Sequence, residues 1–196
     1  MSIIYKLQGG SKNITTSDSL ETIRQLDFYD GIEYLNCSNN GLLILPMLPQ
    51  KLKILDCSCN SLQSLPELPH TLVTLKCESN QLRYLPVLHT GIKSVICCYN
   101  NLTFIPTLPP TLEELFCNNN ELKILPIENV KLRIFTYFNN PVYYYIKDYC
   151  YCSFEIYHNE NKVFANKLAS CFLKCKYNPH YKYCRDRVNS EYDILI

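Results

Sequence analysis

The residues best equipped for chemistry here are twelve cysteines. Five of them, Cys37, Cys57, Cys77, Cys97 and Cys117, stand twenty residues apart. A regular row of thiols offers two chemistries, disulfide formation and soft-metal binding, and both need convergence. A disulfide needs Cβ atoms about 3.5–4.5 Å apart with vectors that meet. Zinc needs ligands at the corners of a tetrahedron. Equal spacing in a repeating chain gives parallel vectors instead. The row therefore reads as core, because a buried free thiol behaves as a small apolar side chain. A second set, Cys171-x3-Cys175-x4-His180-x3-Cys184, has the types and number of zinc ligands. Cys171 and Cys175, four apart, share one helical face, but so do Phe164, Leu168 and Phe172, the residues of ordinary packing. These four are the candidate metal ligands, and the expectation is a chain with no metal and no cofactor. Cys150 and Cys152 flank Tyr151 and read as packing.

The elements that position these residues are written six times. Ile32, Leu52, Leu72, Ile92, Leu112 and Leu132 are in phase, as are Leu35, Leu55, Leu75, Val95, Leu115 and Phe135. Asn40, Asn60, Asn80, Asn100, Asn120 and Asn140 keep the same step, followed by Leu42, Leu62, Leu82, Leu102, Leu122 and Val142. A strict period without insertions predicts a stack of like units. No unit of this size buries its apolar side chains alone, so neighbours close one continuous core. Leu35 and Cys37 alternate with Tyr34, Asn36 and Ser38, the pattern of a half-buried strand. Pro46 with Pro49, Pro66 with Pro69, and Pro106 with Pro109 and Pro110 exclude a regular helix from the second half of each unit. An extended, polyproline-like wall is predicted there. The asparagine stands where the strand ends, and its amide suits the backbone groups of a turn.

The unit, L-x-x-L-x-C-x-x-N-x-L-x-x-L-P, resembles the leucine-rich repeat. The added step Leu45-Pro46-Met47-Leu48-Pro49 is similar to the short subclass found in bacterial secreted effectors, some of which are ubiquitin ligases. The resemblance covers residues 32–142. It implies a curved solenoid with short parallel strands on the concave face. It also implies that Asn40, Asn60, Asn80, Asn100 and Asn120 form a ladder bonded to neighbouring turns. Cys184-Arg185-Asp186 resembles the Cys-x-Asp nucleophile string of the ubiquitin-ligase effectors. Those enzymes use a separate large catalytic domain, whereas this chain ends at Ile196, and no base or pocket can be argued. The tail set 171–184 resembles a zinc knuckle, with both outer spacings altered and the usual glycines missing. The expectation is a non-enzymatic protein-protein interaction module. The alternatives are a catalytically dead adaptor or decoy related to those effectors, and a structural protein with zinc in its tail.

Three segments follow: 1–31 as an N-terminal cap, 32–142 as five full repeats and one partial, and 143–196 as a C-terminal cap. In the first, a hairpin around Gly9-Gly10 is predicted. A short helix follows, opened by a capping box of Asp18 and Glu21, with Leu20, Ile23 and Leu26 as its buried face. The last segment holds ten of the sixteen tyrosines and five cysteines, and is expected to be partly helical and to fold over the last repeat. Net charge is +1 with scattered Lys and Arg, against a nucleic-acid partner. No apolar run approaches the ~18 residues of a membrane span. No clear signal peptide opens the chain, so a reducing cytoplasmic compartment and free thiols are expected. Asn13-Ile14-Thr15 and Asn101-Leu102-Thr103, both formal glycosylation acceptors, are then coincidental.

Strand alternation also predicts which residues face the concave surface. The first three rows, Tyr34, Asn36 and Ser38, Ile54, Asp56 and Ser58, and Thr74, Lys76 and Glu78, are largely polar. The fourth, with Ser94 and Cys98, and the fifth, with Glu114 and Asn118, add Ile96 and Phe116, with Tyr99 at the strand end. Lys76, Glu78, Ile96, Tyr99, Phe116 and Asn118 are therefore the expected contacts for an unidentified protein partner. Exposed apolar and aromatic residues in one patch mark interaction sites. Adjacent acids Glu113 and Glu114 point to opposite faces and read as solvated surface.

Overall fold

A computed structural model describes residues 2–10, 14–125, 130 and 132–142 of the 196. One sheet of eight strands runs through them, in the order β2-β1-β3-β4-β5-β6-β7-β8. The strands are β1 (Ile3–Leu7), β2 (Ile14–Thr16), β3 (Ile32–Asn36), β4 (Ile54–Asp56), β5 (Thr74–Lys76), β6 (Ser94–Ile96), β7 (Glu114–Phe116) and β8 (Ile134–Thr136). From β3 to β8 all pairs are parallel and the register is the sequence period, with Leu35, Leu55, Leu75, Val95, Leu115 and Phe135 side by side. The chain is thus a parallel-strand solenoid with little helix.

The cap is built as the hairpin pattern predicts. Strand β1 runs antiparallel to both β2 and β3, opposing Tyr5 to Ile14 on one side and to Leu35 on the other. It hydrogen-bonds the first repeat's open edge, and it buries Ile3 and Tyr5 on the core. The short helix α1 (Leu20–Arg24) covers the same end, with Leu20 and Ile23 buried. Two expectations are corrected here. The helix is capped by Ser19, whose hydroxyl accepts from the Thr22 N–H, and not by a box of Asp18 and Glu21. Asp18 instead accepts from the Thr16 hydroxyl. Leu26 is exposed, because the helix stops at Arg24 and the chain leaves that face.

The core is one continuous column set. Leu52, Leu55, Cys57 and Leu62, with their equivalents at twenty-residue steps, are fully or almost fully buried, save Leu42 and Phe135 near the two ends, which are half-buried. Beyond each asparagine the chain forms an outer wall with neither helix nor strand among the described residues. In that wall Leu45, Leu48 and their equivalents turn inward. The wall returns to the sheet by a tight turn, in which Leu52, Leu72, Ile92 and Leu112 N–H groups donate to Pro49, Pro69, His89 and Pro109 carbonyls. In the last of these turns Pro110 holds the second position, which a φ preset near −65° suits.

Candidate functional site

The residue before each asparagine turns the chain. Asn39, Cys59, Ser79, Tyr99, Asn119 and Asn139 all have φ between 53° and 57°, the left-handed region. Asparagine accepts this conformation readily, and a bulky tyrosine does not. The following asparagine then points into the stack. Asn80 accepts from Leu62 N–H at 3.0 Å and donates to the carbonyls of Cys57, Cys77 and Glu78 at 3.0–3.2 Å. Asn60, Asn100 and Asn120 repeat the arrangement. Asn40 has no repeat before it and exchanges bonds with Ser2 of the cap. Asn140 supplies a further rung, accepting from Leu122 N–H and donating to the Cys117 carbonyl. The turn geometry leaves backbone donors and acceptors in the core, and these side chains satisfy them.

The five thiols are free and buried beside the ladder. Those of Cys57, Cys97 and Cys117 donate to the carbonyl of the next repeat at 3.3 Å. Burial pushes the Cys37 thiol up to about 12, and raises Cys57, Cys77, Cys97 and Cys117 as well. A thiol held protonated is a poor nucleophile and a poor metal ligand. Among the described residues no three His, Cys, Asp or Glu side chains converge on a metal position. Cys171, Cys175, His180 and Cys184 lie outside the described residues, as do Cys150, Cys152 and the string from Cys184 to Asp186.

On the concave face Lys76, Ile96 and Phe116 stand in register on neighbouring strands, all half-buried. Glu78 is half-buried too, and Tyr99, three residues beyond Ile96, is exposed. Asn118 is not a contact residue. It is buried, and its side-chain oxygen already accepts from the Cys98 thiol and the Thr136 hydroxyl, each at 2.9 Å. Ser58 and Cys98, expected to face outward, are buried as well. The cause is common to all three. The strands end two residues earlier, so alternation no longer holds at this position, which is half-buried at Ser38 and Glu78 and buried at these three.

Charges also pair across repeats: Glu33 with Lys53 at 2.8 Å, Asp56 with Lys76 at 4.0 Å, Glu113 with Lys93 at 3.1 Å, and Glu114 with Arg133. Glu113 and Glu114 are thus ion-paired and not merely solvated. The separation of opposite charges by nineteen or twenty residues was the available signal. A further surface was missed. The outer wall exposes Leu43, Ile44 and Met47 near one end, and Tyr84, Val87, Phe104 and Ile124 further along, at 48–81% for the latter four. Ile44, Tyr84, Phe104 and Ile124 share one repeat position, interrupted by Ser64.

No protein-family model matches the chain, and no curated protein does. Among solved structures it is similar to YopM from Yersinia enterocolitica WA-314, at 38% identity over 55% of this chain and 25% of that one, with a TM-score of 0.53. YopM from Yersinia pestis, a leucine-rich effector protein, gives 30% identity over 59% of this chain and 34% of that one, with a TM-score of 0.56. The array is a leucine-rich-repeat solenoid. It is similar to the repeats of bacterial effectors, and the chain spans about a quarter to a third of those two proteins. A Shigella effector leucine-rich-repeat domain is similar at 32% identity, over 55% of this chain and 59% of that domain, with a TM-score of 0.48.

Proposed function

We propose that the leucine-rich-repeat array is a protein-interaction module. It acts by binding, with no chemistry of its own, in a reducing cytoplasmic compartment. The partner seat is the concave face around Ile96, Tyr99 and Phe116, with Lys76 and Glu78 at its border. One observation carries the choice of face. Tyr99 is held in a left-handed conformation that disfavours its side chain, while its ring is exposed and bonds to nothing among the described residues. Backbone strain kept at an exposed aromatic next to two apolar neighbours suits a binding anchor. The free, buried thiols support the non-enzymatic reading.

Capture of partners from the native host tests this. Tyr99→Ser keeps the turn, since Ser79 occupies the equivalent site at φ 55°. That variant and Phe116→Ser should each weaken capture while the melting transition stays nearly unchanged. Undiminished capture by both refutes the concave seat. Early unfolding of Phe116→Ser alone would assign that residue to the fold, leaving Tyr99→Ser to decide.

A further inference from the structure

The exposed outer-wall column of Tyr84, Val87, Phe104 and Ile124 has no occupant among the described residues. We propose that it seats the chain's own residues 143–196. Three observations favour this occupant over a foreign partner. The first is place. The array is described as far as Val142, which stands one repeat beyond Leu122. Leu122 lies two residues before Ile124, so the described chain ends one row beyond the last row of the column. The second is length. Neighbouring strands lie ~4.8 Å apart, so three rows of the column span roughly 10 Å. An extended chain covers ~3.3 Å per residue. A few of the 54 residues beyond Val142 are enough to reach every row. A tethered segment also meets its seat at an effective concentration on the order of millimolar, which a second copy or a free protein rarely matches. The third is chemistry. The segment carries ten of the sixteen tyrosines together with Phe154, Phe164 and Phe172. Aromatic side chains suit an apolar wall that is wet at its borders.

The column is also set apart from the other apolar wall residues. Gln63, Ser64 and Glu67 stand between it and Leu43, Ile44 and Met47. The second group is therefore a reference surface that the segment leaves open. The proposal is independent of the concave reading, since the two faces share no residue.

The test is made on the full chain. A benzophenone-bearing phenylalanine replaces Phe104, Ile44 or Phe116 in turn, and the chain is irradiated. From position 104 the cross-link should fall within residues 143–196, inside one chain, with a yield independent of protein concentration. From position 44 it should be absent. Three results overturn the seat: no cross-link from 104 to that segment, a cross-link between chains whose yield rises with concentration, or a segment reached chiefly from position 116. Hydroxyl-radical labelling of the unaltered chain gives a second measure, with two tyrosines of similar intrinsic exposure. Tyr84, at 48%, should be modified severalfold more slowly than Tyr99, at 58%. Equal rates at the two also overturn the proposal.

Discussion

Truncating Asn80 removes a side chain with one acceptor role and three donor contacts, and the cost follows from which partners are left alone. The Cys57 carbonyl keeps its bond from Asn60, and the Cys77 carbonyl keeps its bond from Asn100. The Glu78 carbonyl keeps the N–H of Cys59. Leu62 N–H has no second acceptor, and Leu62 is fully buried. Asn80→Ala thus orphans one buried donor outright and weakens three acceptors. An unsatisfied buried group costs about 1–3 kcal/mol, so a loss of about 2–3 kcal/mol is expected. Asn40→Ala, at the capped end, surrenders only bonds to Ser2 and Ser38 at a half-buried site, where water can replace them. Its loss should stay below about 1 kcal/mol. Urea melts of the two variants check both numbers, with an unchanged slope as the sign that the array still unfolds as one unit. Asn80→Asp keeps an acceptor for Leu62 but aims a second oxygen at the three carbonyls, so it should be no milder than alanine. Equal losses at positions 40 and 80, or a change of a few tenths at 80, would refute the ladder as the source of turn stability.

Cys59→Asn should raise the melting midpoint, by about 1 kcal/mol in stability, since asparagine tolerates the left-handed turn better; a destabilised variant would show that the thiol matters more than the backbone. The thiols of Cys57, Cys77 and Cys97 should resist alkylation at pH 8 until the chain unfolds, while exposed Cys59 reacts at once, as read by mass spectrometry. Burial, aided by nearby His70, lowers the pKa of His89, whose ring accepts from Gly91 N–H at 3.1 Å. Between that lowered value and about 6.5 the unfolded chain holds the extra proton, so stability should fall as pH drops through this window. His89→Gln should flatten that dependence between pH 7 and 5, and an unaltered slope would remove His89 as its origin.

The fold was legible because each signal recurs six times in phase. Leu55, Leu75 and Leu115 pair as the period requires, and prolines at 46, 66 and 106 exclude helix from the wall. What failed was local. Alternation does not hold past the strand end, where Asn118, Cys98 and Ser58 are buried although the period-two pattern predicts them outside. That turn had a signal, since asparagine fills its left-handed position at 39, 119 and 139, but Cys59, Ser79 and Tyr99 obscured it. The helix cap falls one residue later than the sequence predicts because Asp18 and Ser19 both offer a side-chain oxygen, and a local bond from the Thr16 hydroxyl occupies that of Asp18. The outer column was visible as Ile44, Tyr84, Phe104 and Ile124 at one repeat position, but periodicity cannot separate a wall residue that turns in from one that stays out.

In a solenoid every repeat position has its own rule, and departures from that rule fall into two kinds. His89 stands where Pro49, Pro69 and Pro109 stand elsewhere, and Gly91 replaces the Lys51, Thr71 or Thr111 of other repeats. These two departures answer each other. A Cβ on residue 91 would lie 3.1 Å from the His89 ring and from the His70 carbonyl, and the Gly91 N–H is the donor that the imidazole accepts. Internal packing accounts for them, and no external partner is needed. Tyr99 is different. Its left-handed backbone favours the asparagine found at three of the six equivalents, its ring is exposed, and no hydrogen bond or ring contact among the described residues holds it. A departure that the array compensates is a feature of the fold. One that it leaves uncompensated, at the edge of the face carrying Ile96 and Phe116, supports a role outside the fold. Tyr99→Asn should therefore separate the two properties, giving a more stable array with weaker partner capture. A variant that gained stability and kept its partner would make Tyr99 a tolerated accident of the repeat.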